Sequence, residues 1–281
     1  MRLKKQKRYL NMLNDKPSIE KLRWIMSELR DPETGCPWDI KQTFESIIPH
    51  TIEEAYEVAD AVSEAVEKAD FSELEKELGD LLFQVIFYSQ LGQEEKQFDF
   101  DSVVAAICEK LIRRHPHVFA NESLVTDAEI KANWENEKAK ERQSKNQDEN
   151  ISILADIPKN LPALSQAAKI QKRCSHVGFD WHDINDVFAK IEEEVIEVKD
   201  ELHRDPQALA EELGDLMFAV VNLCRHAKQD PESLLRKANQ KFTKRFYGVE
   251  QQVESSGQSF EQHNLEALEQ YWQNVKLLEN K

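Results

Sequence analysis

Apolar residues recur at steps of three and four through Val187, Ile191, Val195, Val198 and Leu202, which places them along one stripe of a helix. Leu213, Leu216, Val220 and Leu223 repeat the pattern. Between the two runs stands Asp205-Pro206, a pair suited to capping and opening a helix, so the segment predicts two antiparallel helices in a bundle. Only 7 Gly and 9 Pro occur in 281 residues, alongside abundant Glu, Leu, Ala and Lys, and this composition extends the helical expectation to the whole chain.

The chain also repeats itself. Glu77-Leu78-Gly79-Asp80-Leu81-Leu82-Phe83 returns as Glu212-Leu213-Gly214-Asp215-Leu216-Met217-Phe218, and Glu53-Glu54 with Glu57-Val58 returns as Glu193-Glu194 with Glu197-Val198. The stretch between the two motifs is longer in the first copy, which predicts a loop of variable length between two helices. Further on, Lys110 to Arg114 matches Lys241 to Arg245, and Trp134 matches Trp272. Such a long period does not suit a solenoid and predicts two tandem homologous helical-bundle modules. They are expected at 1–140 and 155–281, with a polar linker at 141–154 that overlaps the polar run 139–150.

Helical periodicity sets Glu194 and Glu197 on one flank of the first stripe, and Glu212 with Asp215 together on the next helix. Like charges three residues apart repel, and a hard cation removes that penalty. Four carboxylates suit Mg²⁺, which takes oxygen ligands and keeps water and phosphate oxygens as well, with Mn²⁺ as the alternative. The same arithmetic applies to Glu54, Glu57, Glu77 and Asp80, a second and weaker site. One acidic run in a Glu-rich chain reads as a solvated face, but two motifs recurring in order argue for a site. Gly79 and Gly214 add to this, because a glycine inside a helix costs about 1 kcal/mol and calls for a packing or close-approach reason. A di-iron centre needs Glu-x-x-His pairs, and no His here follows Glu at that spacing.

Lys241, Lys244 and Arg245, with Arg113 and Arg114 in the first copy, are candidates to grip phosphate oxygens. Trp272 and Trp134 can stack on a base or cover the core. Asn222 lies two turns beyond Asp215 on the acid face, where its amide can meet a sugar or base, whereas Phe87 holds the equivalent place in the first copy.

With 37 basic and 53 acidic residues the formal charge is −16, which disfavours nucleic acid as a partner. Four widely spaced cysteines, without a C-x-x-C pair, suggest neither a zinc ribbon nor a disulfide framework, and reduced cytoplasmic thiols are expected. The basic first ten residues are followed by no apolar run of signal-peptide or membrane-spanning length, so no membrane association is expected.

The segment Leu29-Arg30-Asp31-Pro32-Glu33-Thr34-Gly35-Cys36-Pro37-Trp38-Asp39, followed by Gln42-Thr43 and Glu53-Glu54-Ala55-Tyr56-Glu57, resembles the opening signature of MazG-type pyrophosphohydrolases. Val177-Gly178-Phe179-Asp180-Trp181, the second acid motifs and Lys241 to Phe246 resemble the C-terminal module of two-domain members. The resemblance covers nearly the whole chain. It implies an all-α NTP pyrophosphatase fold shared with dimeric dUTP pyrophosphatases, a homodimer, and Mg²⁺-dependent hydrolysis of nucleoside triphosphates to monophosphate and pyrophosphate. It also implies Glu194, Glu197, Glu212 and Asp215 as metal ligands, with Lys190, Glu193, Lys241, Lys244, Arg245 and Trp272 lining the nucleotide site.

Lys190 and Asn222 are replaced by His50 and Phe87 in the first copy, so the main site is expected in the C-terminal module. There Glu193, or a carboxylate on the metal, would orient a water for attack on the α-phosphorus. The alternative is a non-catalytic Mg-nucleotide-binding regulatory protein.

Overall fold

The computed structural model describes residues 18–120, 126–145 and 152–279, and every regular element in them is helical. The basic tip and the end of the polar run lie outside the described residues. No helix among the described residues is long and apolar enough to cross a membrane. The chain divides into two compact units, Met1–Lys140 and Glu141–Lys281.

The first unit contains α1 (Ile19–Leu29), a short α2 (Pro37–Ile40), α3 (Phe44–Lys68), α4 (Ser72–Glu94), α5 (Phe100–Arg114), the turn-like α6 (Pro116–Phe119) and the start of α7 (Asp127–Lys145). Thr43 and Ser46 form a reciprocal capping box at the start of α3, and Asp99 and Ser102 do so for α5, each worth about 1 kcal/mol. Ala69 stops α3 in the left-handed conformation, and the short connection 69–71 turns the chain back so that α4 packs antiparallel on α3. α1 closes the bundle against α4 around Met26, Ile47, Ile86, Phe87 and Leu91. Burying each of these stabilises the fold by about 1.5–3 kcal/mol.

The second unit contains α8 (Ala163–Ser175), α9 (Ile184–Glu201), α10 (Pro206–His226), α11 (Pro231–Ser256), a 3₁₀ turn (Phe260–Gln262) and α12 (Leu265–Glu279). Asp183, Asp205 and Asp230 cap α9, α10 and α11 through their side chains, and Pro206 and Pro231 occupy first-turn positions where no N–H is needed. α9 and α10 form the predicted antiparallel pair, α8 packs on α10 and α11, and α12 returns along α11. That last approach depends on Gly248, where an added Cβ would lie 2.8 Å from Val275 Cγ2.

Three expectations change. The extra residues between the acid motifs of the first unit extend a helix and do not enlarge a loop: α3 runs on to Lys68, whereas α9 stops at Glu201, and the connections 69–71 and 202–205 are similarly short. The polar run begins as helix, since α7 continues to Lys145, because its Lys, Glu, Arg and Gln residues are good helix formers. The apolar stripes of the second unit are only partly core. Val187 is buried, but Leu202, Leu213 and Val220 are exposed. Periodicity predicts that a face is apolar without saying what covers it.

Candidate active site

Glu193, Glu194 and Glu197 project from α9, and Glu212 and Asp215 from α10, so the pairing of these helices brings the second pair of acid motifs together. Glu194, Glu212 and Asp215 each offer one carboxylate oxygen within 4.8 Å of the others. Glu197 stands outside this trio but close enough to act on it. Burial raises the Glu212 pKa, and the neighbouring charges of Glu197, Glu194 and Asp215 raise it further.

Glu194 is the deepest member, 3% exposed. Its Oε1 lies 2.7 Å from Lys190 Nζ, and the same ammonium donates to Glu193 Oε1 at 2.9 Å. These two hydrogen bonds, the one to Glu194 foremost, raise the Lys190 pKa, so it stays charged through the neutral range. Glu194 Oε2 is buried without any hydrogen-bond partner among the described residues. A buried carboxylate oxygen left bare is costly, and two further carboxylates at the same point supply no proton. The donor set fits a hard divalent cation.

Beside the trio opens a cavity of about 360 Å³. Lys190, Glu194 and Asp215 line it together with Phe179, Trp181 and Phe218, and Gln171, Asn222 and Arg225 also reach it. Asn222, placed on the acid face by helical arithmetic, is therefore at the site and is buried.

Among the lining residues given no role by the sequence are Gln171, Asp180 and Arg225. Arg225 donates to Asn222 Oδ1 from Nε at 2.9 Å and from Nη2 at 2.7 Å, and its Nη1 donates to Asp180 Oδ2 at 2.8 Å. The Arg225 guanidinium holds the Asp180 carboxyl below its usual range, and His226 Nε2, 3.1 Å from Asp180 Oδ1, adds to this. Gln171 is buried on α8. The available signals were Arg225 standing three residues after Asn222 and Asp180 falling in the segment Val177 to Trp181; nothing local marks Gln171.

Lys241, Lys244 and Arg245 on α11 and Trp272 on α12 do not line this cavity. Arg245 Nε donates to Glu279 Oε2 at 2.7 Å and its guanidinium lies 5.9 Å from the Trp272 ring centre, while Trp272 packs 5.0 Å from Phe242. In the first unit Arg113 Nη1 donates to Glu137 Oε2 at 2.9 Å, and Trp134 meets His115 with ring centres 5.4 Å apart.

The first unit gathers Glu54, Glu57 and Glu77 within the same 4.8 Å, with Asp80 outside the trio. Burial raises the Glu54 pKa, followed by the charges of Asp80 and Glu57. The surroundings differ from those of the second unit. His50 Nδ1 stands 3.8 Å from Glu53 Oε2 in the place of Lys190, and Gln84 Nε2 approaches Glu54 Oε1 at 3.4 Å. Phe87, in the place of Asn222, is 1% exposed and belongs to the core. The glycines of the acid motifs carry no close approach within the chain, because a Cβ at Gly79 or Gly214 would meet nothing within 4 Å.

Comparison with known proteins agrees with this geometry. The chain is 51% identical over 261 residues to the nucleoside triphosphate pyrophosphohydrolase of Escherichia coli (strain K12), covering 92% of this chain and 97% of that protein. It is 44% identical over 258 residues to the nucleoside triphosphate pyrophosphohydrolase/pyrophosphatase MazG of Thermotoga maritima, covering 92% and 95% respectively. The MazG nucleotide pyrophosphohydrolase domain matches twice, at residues 42–119 and 183–252. Each match contains one carboxylate trio, and together with the likeness along nearly the whole chain they show that it belongs to the MazG nucleotide pyrophosphohydrolase family.

Proposed function

We propose that the C-terminal unit is the catalytic one, and that Glu194, Glu197, Glu212 and Asp215 hold Mg²⁺ there, with Mn²⁺ as a substitute. The reaction is that of the family: a nucleoside triphosphate and water give a nucleoside monophosphate and pyrophosphate. The observation that carries the assignment to this unit is the bare, buried Glu194 Oε2, set in a carboxylate trio at the edge of a cavity. The first unit has a trio, but Phe87 fills the position corresponding to Asn222.

The metal, when bound, supplies charge neutralisation at the phosphates and lowers the pKa of a water. Glu193 accepts the proton as the water oxygen attacks the α-phosphorus; the bond from that phosphorus to the bridging oxygen breaks, and pyrophosphate leaves with the electron pair. Lys190 holds Glu193 and Glu194 in register and keeps a positive charge beside the phosphates. Lys241, Lys244, Arg245 and Trp272 complete the nucleotide site in a homodimer. Support for a second copy comes from apolar side chains left open on the two acid-bearing helices, among them Ile196 at 57% and Met217 at 59% exposure. A cytoplasmic setting agrees with the free thiols of Cys36, Cys108, Cys174 and Cys224.

The deciding experiment is product analysis after incubation with each common nucleoside triphosphate and Mg²⁺. Monophosphate with equimolar pyrophosphate, lost on Asp215→Asn, supports the assignment. Diphosphate with orthophosphate overturns the chemistry. Binding without turnover, read as a nucleotide-dependent rise in melting temperature, would make the protein a nucleotide-binding regulator.

A further inference from the structure

The hydrogen-bonding sense of two buried amides in the cavity is settled by their neighbours. Gln171 packs its amide against the main-chain carbonyl of Phe218, 2.8 Å from Nε2. A carbonyl only accepts, so the nitrogen must face it and Oε1 is left as a buried acceptor with no partner. Asn222 meets the guanidinium of Arg225, which only donates, so its Oδ1 is taken twice and Nδ2 is the group left to serve the cavity. Asp180 holds the far side of the same guanidinium and keeps this arrangement from turning over. The two amides that line the cavity thus keep one acceptor and one donor unclaimed among the described residues, each in fixed sense. Phe179, which lines it, is 81% exposed, so most of its ring is open to a ligand. Gln171 and Asp180 both fall outside the segment that matches the family domain.

We propose that Gln171 and Asn222 are the base-recognising pair of the C-terminal unit, and that Arg225, anchored by Asp180, is the positioning residue that fixes the Asn222 amide. The ligand they fit is a nucleobase edge with a hydrogen-bond acceptor next to an N–H donor. Adenine offers N1 beside its amino group and cytosine offers N3 beside its amino group; guanine and uracil offer a carbonyl beside a ring N–H. All four common bases are accepted by such a pair, and a base without an exocyclic group, such as unsubstituted purine, loses the bond to Gln171. Discrimination in this cavity thus falls on the presence of the exocyclic group and not on which common base carries it. The proposal rests on the reading of this unit as the catalytic one, and the test separates the two.

The full chain with Mg²⁺ is assayed on ATP and on purine riboside triphosphate, which differs only by the missing amino group. One lost hydrogen bond to a buried amide lowers kcat/KM for the purine analogue by about tenfold. Gln171→Met, similar in length but without the acceptor, brings the two substrates level through a higher KM for ATP. Arg225→Met releases the Asn222 amide and raises KM for ATP several-fold with kcat retained; a fall in kcat alone overturns the positioning role.

Binding is read separately by protection of Cys174, which lines the cavity, from alkylation by iodoacetamide in the presence of adenosine or purine riboside. Hydrolysis with equal kcat/KM for ATP and its purine analogue overturns the base-recognising pair and leaves the catalytic assignment standing. No hydrolysis, but better protection of Cys174 by adenosine than by purine riboside, supports the pair and removes the catalytic assignment. Equal protection by both nucleosides, or none, overturns the pair whatever the turnover.

Discussion

Lys190 Nζ lies 2.7 Å from Glu194 Oε1, while the other oxygen of that buried carboxylate has no partner among the described residues. The lysine thus stabilises one oxygen of a carboxylate that also belongs to the trio with Glu212 and Asp215. In the first unit the corresponding residue is His50, which stands 3.8 Å from Glu53.

Removing the ammonium with Lys190→Met leaves the buried carboxylate uncompensated, at an expected cost of about 1–3 kcal/mol to the metal-free fold. Thermal unfolding with and without Mg²⁺ checks this. Mg²⁺ should restore part of the loss; a variant as stable as the parent in EDTA would show that Glu194 does not depend on the lysine.

Glu212→Gln and Asp215→Asn should each lower turnover by at least about 10²-fold with the helical circular dichroism unchanged. Glu77→Gln, the same change in the first unit, should leave turnover within about twofold. Comparable losses from Glu77→Gln and Glu212→Gln would place catalysis in both units or in the first.

The raised pKa of Glu212 gives a pH dependence of defined sign. A carboxyl whose folded pKa lies above its unfolded value binds more protons when folded, so its contribution to stability falls as pH rises from the ordinary value of 4.5 through the raised one. Burial is the larger cause of that shift, and Mg²⁺ relieves the part that comes from the neighbouring carboxylates. Its stabilising effect on the melting temperature should therefore be larger at pH 7 than at pH 5, and smaller at both in Glu212→Gln. An effect of Mg²⁺ independent of pH would separate the metal from these carboxylates.

Asp180 behaves in the opposite sense. The Arg225 hydrogen bonds lower its pKa, so its contribution is present above the ordinary 3.8 and is lost as pH falls through the lowered value. Asp180→Asn should cost about 1.5–3 kcal/mol at pH 7, as for hydrogen bonds to charged groups, and the gap should close below about pH 4. Denaturant melts across that range test it, and a gap that persists in acid would point to packing in place of charge.

Gly214 has no neighbour within 4 Å of an added Cβ, so Gly214→Ala should stabilise the isolated chain by about 1 kcal/mol through helix propensity alone. The proposed homodimer predicts sedimentation at about twice 32.7 kDa, with Met217→Asp shifting it toward monomer. If Gly214→Ala instead weakens the dimer, the second copy packs over Gly214. A parent protein that sediments as a monomer at all concentrations would remove the dimer from the mechanism.

The helical class, the duplication and the spacing of the candidate carboxylates were legible in the sequence, the first and last from composition and local periodicity and the second from self-similarity at a distance. A turn every 3.6 residues decides that Glu194 and Glu197 share a flank and that Asn222 follows Asp215 on one face. Asp205-Pro206 marked a helix start for the same local reason, and the cap is present.

Only the tertiary structure decided which carboxylates converge. It draws Glu194 together with Glu212 and Asp215, leaves Glu197 outside, and in the first unit leaves Asp80 outside instead, since the axial offset between two packed helices appears in neither helix's own pattern. The cavity is legible in no single segment either. Gln171 comes from α8, Asp180 from the connection after it and Arg225 from α10, and their meeting depends on how α8 lies across α10. Phe87 and Asn222 occupy equivalent positions by sequence, yet one completes a core and the other borders a cavity, because an aromatic ring gains by exclusion from water and a buried amide must keep its hydrogen bonds.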